Sequence, residues 1–202
     1  MQRIDRFGLW WPELEHKTDE LFGYMLRRVT DVDVAVKQCR TTGVAVQAGG
    51  FIGMWPRRLA KFFEYVYTFE PVDELYDCLK LNTEHLPSVI TQKAVLGASV
   101  DETHVSVRSG GRTRPAQEGQ PVAQVTIDSL SLPRCDAIFL DVERSELAAL
   151  DGALQTIGAW SPVIVLEMKS DTEEEFNNYM RRLGYLQVAR VHADAVFARA
   201  RK

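Results

Sequence analysis

The chain has 202 residues, of which 46% are hydrophobic, and its formal net charge is −4 at pH 7. That length suffices for one well-filled domain and is short for two, so we expect a single domain over residues 1–202. The weak negative charge argues against a nucleic-acid partner, since such binding needs a concentrated positive surface.

The cysteines and the apolar stretches bear on cellular location. The three cysteines, Cys39, Cys78 and Cys135, lie far apart without a CxxC or Cys/His spacing. This pattern favours reduced thiols over disulfides or a zinc site. The first eight residues, MQRIDRFG, lack an apolar signal core, and the apolar runs are strand-sized. We therefore expect a cytoplasmic protein without a membrane partner. The sequence gives no indication of an oligomeric state.

The chain begins with helical periodicity and then alternates strands with helices. Residues 1–42 are predicted to form an N-terminal helical cap. Its Trp10, Trp11 and Tyr24 either close over a ligand or bury their rings on the sheet. The segments with strand character are 44–48, 65–70, 88–92, 136–142, 162–168, 185–191 and 194–200. Helices are predicted at 54–63, 71–82, 145–158 and 171–184.

This alternation predicts an α/β fold for residues 43–202. Short β-branched strands separated by helices favour a parallel sheet covered on both faces. The last two strands are too close in sequence for a crossover helix, so they are expected to pair as an antiparallel hairpin at the sheet edge. Alternating runs flank a Gly/Pro/Arg-rich loop at about 103–128, which predicts an inserted hairpin. The expected architecture is a doubly wound, mostly parallel seven-stranded sheet.

The first predicted strand ends in a glycine-rich turn, in the sequence GVAVQAGGFIGMWPRRLA at 43–60. In an open α/β sheet the ligand binds beyond the carboxyl ends of the strands, where this turn is expected. Gly49 and Gly50 permit positive φ and a close backbone approach to a ligand, and Gly53 permits tight packing of the following helix. A purely structural turn is the alternative interpretation.

The second predicted strand ends in an acid, Glu70, which lies 23 residues after Gln47. A carboxylate at that position can accept both hydroxyls of a ribose. The alternative is a carboxylate that stabilises the dipole of the following helix. The glycine turn and Glu70 together predict an adenosine-type ligand, either NAD or S-adenosylmethionine.

Four motifs in order resemble the FkbM family of S-adenosylmethionine-dependent methyltransferases, which has the class I methyltransferase fold. VQAGGFIG is similar to V-D-x-G-A-N-x-G, and FEPVDELYDCLKLN is similar to F-E-P…L…N, with Asn82 as the last residue. VITQKAVLGAS resembles the third-strand segment, and FLDVERSELAALDGA resembles K-x-D-x-E-G-x-E…L-x-G. The resemblance covers about residues 43–168. It implies an S-adenosylmethionine-dependent methyltransferase of the EC 2.1.1 type.

The resemblance also implies a set of site residues and an acceptor. Asp141 and Glu143 are the expected catalytic residues, because a hydroxyl acceptor on a sugar or another small polar metabolite needs a base or a metal to take its proton. Glu167 is a further acid at a strand end. The three could bind a divalent ion, although none is expected. The expected cofactor-binding residues are Gln47, Gly49, Gly50, Phe51, Gly53, Glu70, Pro71, Ala94 and Asp141.

Each of these acids could instead have a purely structural role. Glu143 could serve as an N-terminal acid of the following helix, and Glu167 could pair with an arginine. Glu146 could pair along its helix or face solvent.

Three positions depart from the family pattern. Gln47 replaces the acid of the first motif, Phe139 replaces a lysine, and Arg144 replaces a glycine. The loss of charge at Gln47 predicts weaker cofactor binding. Phe139 predicts a changed acceptor or a changed mechanism. Two other functions remain open: a noncatalytic binding or scaffold protein that keeps the fold, and an NAD-dependent oxidoreductase.

Overall fold

The computed structural model describes residues 8–13, 18–107, 113–116 and 118–200. Two helices precede the first strand, α1 (Thr18–Arg28) and α2 (Val32–Val36). The first half of the α/β core follows as β1 (Val44–Ala48), α3 (Met54–Leu59), β2 (Tyr65–Phe69), α4 (Asp73–Thr83) and β3 (Val89–Gln92). Within the described residues, no helix is both long and apolar enough to cross a bilayer.

Four short strands interrupt the alternation before it resumes. They are β4 (Ala94–Leu96), β5 (Asp101–Val107), β6 (Thr113–Ala116) and β7 (Gln120–Val125). After a 3-10 helix (Asp128–Leu130), the core continues with β8 (Ala137–Leu140), α5 (Glu146–Asp151), α6 (Leu154–Trp160), β9 (Val163–Glu167) and α7 (Glu173–Arg182). The described chain closes with β10 (Tyr185–Val191) and β11 (Asp194–Arg199).

The main sheet has seven strands in the order β10-β11-β9-β8-β1-β2-β3. The pairs from β9 through β3 are parallel, whereas β11 runs antiparallel to both β9 and β10. The predicted doubly wound sheet with its C-terminal hairpin is therefore confirmed. The strand order reverses at β1, between β2 and β8, which is where an open α/β sheet forms its ligand crevice.

The insertion is larger than the predicted hairpin, because its strands form a second sheet in the order β4-β7-β5-β6. β5 pairs antiparallel with both β6 and β7, and β4 lies parallel to β7. A single residue, Lys93, separates β3 of the main sheet from β4 of the second. Sequence patterning missed β4, because a strand of three residues has too few positions to show an alternation.

The helix predicted over 145–158 is broken into α5 and α6. A Cβ at Gly152 would lie 2.0 Å from the backbone oxygen of Gly97, so the break is where a loop of the second sheet packs closely. The Asp128 carboxylate then accepts the N–H groups of Gln155 and Thr156, at 3.0 and 2.8 Å, and caps α6. The break therefore depends on residues distant in sequence.

The N-terminal segment packs against the glycine turn. Trp11 is buried, and its ring makes edge contacts with Phe22 of α1 and Phe51 of the turn. The Asn82 side chain accepts the N–H of Trp10 at 2.7 Å and donates to the carbonyls of Trp10 and Ile52. Asn82, the last residue of the second motif, thus ties the N-terminal segment to the turn.

Candidate active site

A cavity of about 420 Å³ lies beyond the carboxyl ends of β1, β2 and β8. This volume falls within the range of small-molecule sites. The second sheet forms one wall, and α1 forms another with Leu21, Tyr24 and Met25. Of the residues expected from sequence to bind cofactor or act in catalysis, those that line the cavity are Gly49, Phe51, Glu70, Pro71, Ala94, Asp141 and Glu143. Gln47, Gly50 and Gly53 do not line it.

The three glycines of the turn have different physical roles. Gly49 has φ +86°, and a Cβ there would lie 2.2 Å from the backbone oxygen of Asp141. Gly53 has φ +95° and precedes α3. Gly50 is outside the positive-φ region, contrary to the expectation for it, and a Cβ there would crowd Leu79 and Thr68 at 2.8 and 2.9 Å. Gly50 is therefore a packing position.

The N–H groups of this turn are already engaged within the protein. Those of Gly49 and Gly50 both donate to the carbonyl of Phe69, at 3.1 and 2.9 Å. The N–H of Phe51 donates to Glu70 Oε2 at 2.9 Å. The turn therefore lines the cavity through Gly49 and Phe51 without offering these three donors to a ligand.

Glu70 lies at the carboxyl end of β2 and is only 4% exposed. Its Oε1 accepts the N–H of Val72 at 3.0 Å, and its Oε2 accepts that of Phe51. Burial raises the pKa of Glu70 to about 7, although the two backbone hydrogen bonds act to lower it. Each carboxylate oxygen keeps a second lone pair, so Glu70 can still accept hydroxyl groups from a ligand in the cavity.

Gln47 is 3% exposed, and its polar atoms bond to the protein itself. Its Nε2 donates to the carbonyls of Ala48 and Gly49, at 3.1 and 2.9 Å. Its Oε1 accepts the hydroxyl of Thr68 at 2.5 Å. Gln47 does not line the cavity, and both of its polar atoms bond to the protein, so its expected contact with the cofactor stays a prediction.

Three carboxylates lie together at the carboxyl ends of β8 and β9. These strands are on the other side of β1 from β2, the strand that Glu70 follows. Asp141, Glu143 and Glu167 each offer an oxygen, and these oxygens lie within 4.8 Å of one another. We call these three residues the acidic cluster. Asp141 is exposed at the surface of the cavity. The protein atoms packed around its carboxyl partly desolvate it and, together with the charges of Glu167 and Asp194, raise the pKa of Asp141 well above its usual range.

A lysine that the sequence analysis did not single out lies against the acidic cluster. Lys169 Nζ is 2.8 Å from Glu143 Oε2 and 3.1 Å from Glu167 Oε2. Burial acts to lower the pKa of Lys169, but its hydrogen bond to Glu143 and its ion pair with Glu167 raise it overall. Glu167 thus pairs with a lysine where an arginine was considered. In the sequence, Lys169 could have been identified as a site residue from its position two residues beyond the end of β9.

The loop after β8 explains two features of the late motif. Arg144 has φ +81°, a conformation that favours glycine, so the glycine of the family pattern has a backbone reason. Arg144 instead forms an ion pair with Asp171 at 2.5 Å. Glu146 is 2% exposed and its Oε1 accepts the N–H of Val142 at 3.3 Å, so it neither faces solvent nor pairs along its helix.

Solved structures with similar folds include methyltransferases and a decarboxylase. Methyltransferase FkbM from Methylobacillus flagellatus KT superposes with a TM-score of 0.54 at 18% identity, covering 77% of this chain and 43% of that one. This chain therefore spans less than half the length of that relative. Precorrin-6y C5,15-methyltransferase from Geobacter metallireducens GS-15 gives 0.53 at 12% identity, with 82% and 85% covered. Precorrin 8w decarboxylase from Methanobacterium thermoautotrophicum gives 0.54 at 12%, with 86% and 90% covered.

The sheet topology and the similar solved structures define the class I methyltransferase fold. The model of the methyltransferase FkbM domain matches residues 46–186, which is more than half of the chain. The chain therefore belongs to the FkbM methyltransferase family. No curated protein sequence matches it significantly.

Proposed function

We propose that this protein is an S-adenosylmethionine-dependent methyltransferase that methylates a hydroxyl group of a small polar acceptor, such as a sugar. The observation that carries the proposal is the charge of the cavity. Acidic side chains from the ends of β8 and β9 lie together at the cavity. Among the described residues, none forms an ion pair with Asp141. Such a site suits a ligand with positive charge.

The same charge distinguishes S-adenosylmethionine from a nicotinamide dinucleotide. The first carries an ammonium and a sulfonium, whereas the second carries an anionic pyrophosphate. A pyrophosphate also needs free N–H groups at the glycine turn, and those of Gly49, Gly50 and Phe51 are engaged. This argues against the oxidoreductase alternative.

The residues of the cavity fit the parts of S-adenosylmethionine. Glu70 is suited to the ribose hydroxyls, since it is buried, fixed by two N–H groups and retains lone pairs. Pro71 and Ala94 supply apolar wall beside it for the adenine. At the other end, the acidic cluster provides the negative charge that Gln47 lacks. Cofactor binding in this account depends on the acids of β8 and β9 instead of the first-motif position.

The cofactor supplies an electrophilic methyl group on a sulfonium, so the protein has mainly to align the acceptor and take its proton. We assign proton acceptance to the Asp141 carboxylate, because its raised pKa suits a base acting near neutral pH. Glu143 lines the same cavity and can accept a hydrogen bond from the acceptor hydroxyl. Residues of α1 and of the second sheet line the same cavity and leave room for an acceptor beside these acids.

The test is formation of S-adenosylhomocysteine in the presence of S-adenosylmethionine and a panel of sugars and other polyhydroxylated acceptors. We expect turnover with at least one acceptor and its loss in Asp141→Asn. Glu102→Gln, an exposed acid of β5, is the matched control and should leave turnover intact. Binding of cofactor without turnover on any hydroxyl acceptor would favour the scaffold alternative.

A further inference from the structure

The ammonium group of Lys169 occupies a position that joins two loops of the candidate site. It bridges Glu143, on the loop after β8, and Glu167, at the end of β9. The lysine side chain is 33% exposed, and the two carboxylate side chains are 15% and 19% exposed. Ion pairs shielded to this degree interact more strongly than pairs on an open surface.

The surroundings of Lys169 fix it in this position. Its own N–H donates to Thr172 Oγ1 at 3.2 Å, and the Thr172 hydroxyl donates back to the Lys169 carbonyl at 3.1 Å. The ion pair between Arg144 and Asp171 joins the same two loops a second time. The lysine is therefore held by its backbone as well as by the acids.

The acidic cluster without this lysine would have the features of a divalent-cation site. Three carboxylate oxygens within 4.8 Å of one another are the hard ligands that Mg²⁺ and Mn²⁺ accept. β8 brings no cation to these acids, because Phe139 is apolar and lines a recess beside Asp141 and Glu167. The positive charge comes instead from Lys169.

We propose that Lys169 is the built-in cation of the acidic cluster, a positioning residue that holds Glu143 and Glu167, leaves Asp141 unpaired, and takes the place of a divalent metal ion. The role of Lys169 in catalysis rests on the proposed methyl transfer. The protein would then need no metal, since the ammonium fixes two of the acids and the third remains free to accept a proton. Removing the ammonium should convert the cluster into a metal site.

The experiment is a titration with MnCl₂ followed by the electron paramagnetic resonance signal of free Mn²⁺, at neutral pH and without cofactor. The proteins are the wild type, Lys169→Met and Lys93→Met. Lys93 is a matched control, because it is ion-paired with a single exposed carboxylate, Asp73. We expect Lys169→Met to bind one Mn²⁺ at least about tenfold more tightly than the wild type, and Lys93→Met to match the wild type.

Either of two results would overturn the proposal. One is a wild type that binds Mn²⁺ as tightly as Lys169→Met, because the ammonium would then not exclude the ion. The other is a Lys169→Met protein that gains no Mn²⁺ binding. Lys169→Arg keeps the charge and should behave as the wild type. Because the titration omits S-adenosylmethionine, its outcome is separate from any failure of cofactor binding.

A second measurement covers the case in which Lys169→Met does not fold. Removing both partners as well, in Lys169→Met/Glu143→Gln/Glu167→Gln, leaves no uncompensated charge at these positions and should restore a folded protein that does not bind Mn²⁺. Where Lys169→Met does fold, millimolar MgCl₂ should raise its thermal midpoint and leave that of the wild type unchanged. A triple variant no more stable than Lys169→Met would contradict the proposed role of the ammonium.

Discussion

Gln47→Glu is the substitution that tests most directly why this chain lacks the first-motif acid. The two side chains have nearly the same shape, so the change replaces one amide group with a carboxyl. In the structure the amide Nε2 donates to two carbonyl oxygens, of Ala48 and Gly49, at 3.1 and 2.9 Å. An ionised carboxylate would lose both hydrogen bonds and face those oxygens directly.

The loss in the free energy of unfolding expected for Gln47→Glu follows from these contacts. Each lost hydrogen bond costs about 1 kcal/mol, and an unpaired charge at a site 3% exposed brings the total to about 3–5 kcal/mol. This total applies at pH 8, where the new carboxyl is ionised. The penalty should be smaller at pH 5.5, because a protonated carboxyl is neutral and can donate one hydrogen bond.

Urea unfolding at both pH values measures the effect, with Gln187→Glu as the control. Gln187 is an exposed amide on β10, and its change should stay within about 0.5 kcal/mol. Phe139 is the register partner of Gln47 on β8, so Phe139→Lys should recover part of the loss in the double variant. A Gln47→Glu protein as stable as Gln187→Glu at pH 8 would refute this reasoning.

Three further predictions concern the backbone and the pH dependence of the site. Gly49→Ala should cost about 3 kcal/mol or more in the free energy of unfolding, because φ is +86° and the new Cβ would meet the Asp141 oxygen. Gly158→Ala, in a helix with open space, should instead stabilise by about 1 kcal/mol. Arg144→Gly should leave the free energy of unfolding unchanged or raise it by up to about 1 kcal/mol, because relief of the backbone strain at φ +81° outweighs the loss of an exposed ion pair. A clear loss of stability would contradict this. For Glu70, whose pKa is raised from 4.5 to about 7, the folded state keeps a proton that the unfolded chain releases, so stability falls as pH rises over that range, by about 3 kcal/mol. Glu70→Gln should remove this part of the decline in pH-dependent urea unfolding, and an unchanged slope would disprove the shift.

Local sequence was sufficient to predict the strands of the main sheet and the principal acids of the site. β1 and β2 are short apolar runs ending in Gln47-Ala48 and Phe69-Glu70, and the carboxyl ends of neighbouring parallel strands necessarily meet at one edge of a sheet. The same reasoning placed Asp141 and Glu143 at the end of β8. These expectations required only periodicity and the topology of the fold.

The missed features depend on contacts between residues distant in sequence. The role of Gln47 follows from Thr68 and from the carbonyls of the turn, which its residue type alone does not show. β4 exists because β7 pairs with it across the insertion. Lys169 reaches Glu143 because the loops after β8 and β9 lie side by side. Sequence patterning predicts the element on which such a side chain lies. It does not predict the distant residue that the side chain contacts.

The cavity is proposed to bind S-adenosylmethionine through Glu70 and the acidic cluster. Calorimetric titration with S-adenosylmethionine, S-adenosylhomocysteine and NADH in parallel tests it, at pH 8 and at pH 6. We expect micromolar binding of the two adenosyl ligands, and loss of that binding in Glu70→Ala. Binding should be about tenfold weaker at pH 6, because Glu70 is then largely protonated. Binding of NADH with no binding of either adenosyl ligand would contradict it.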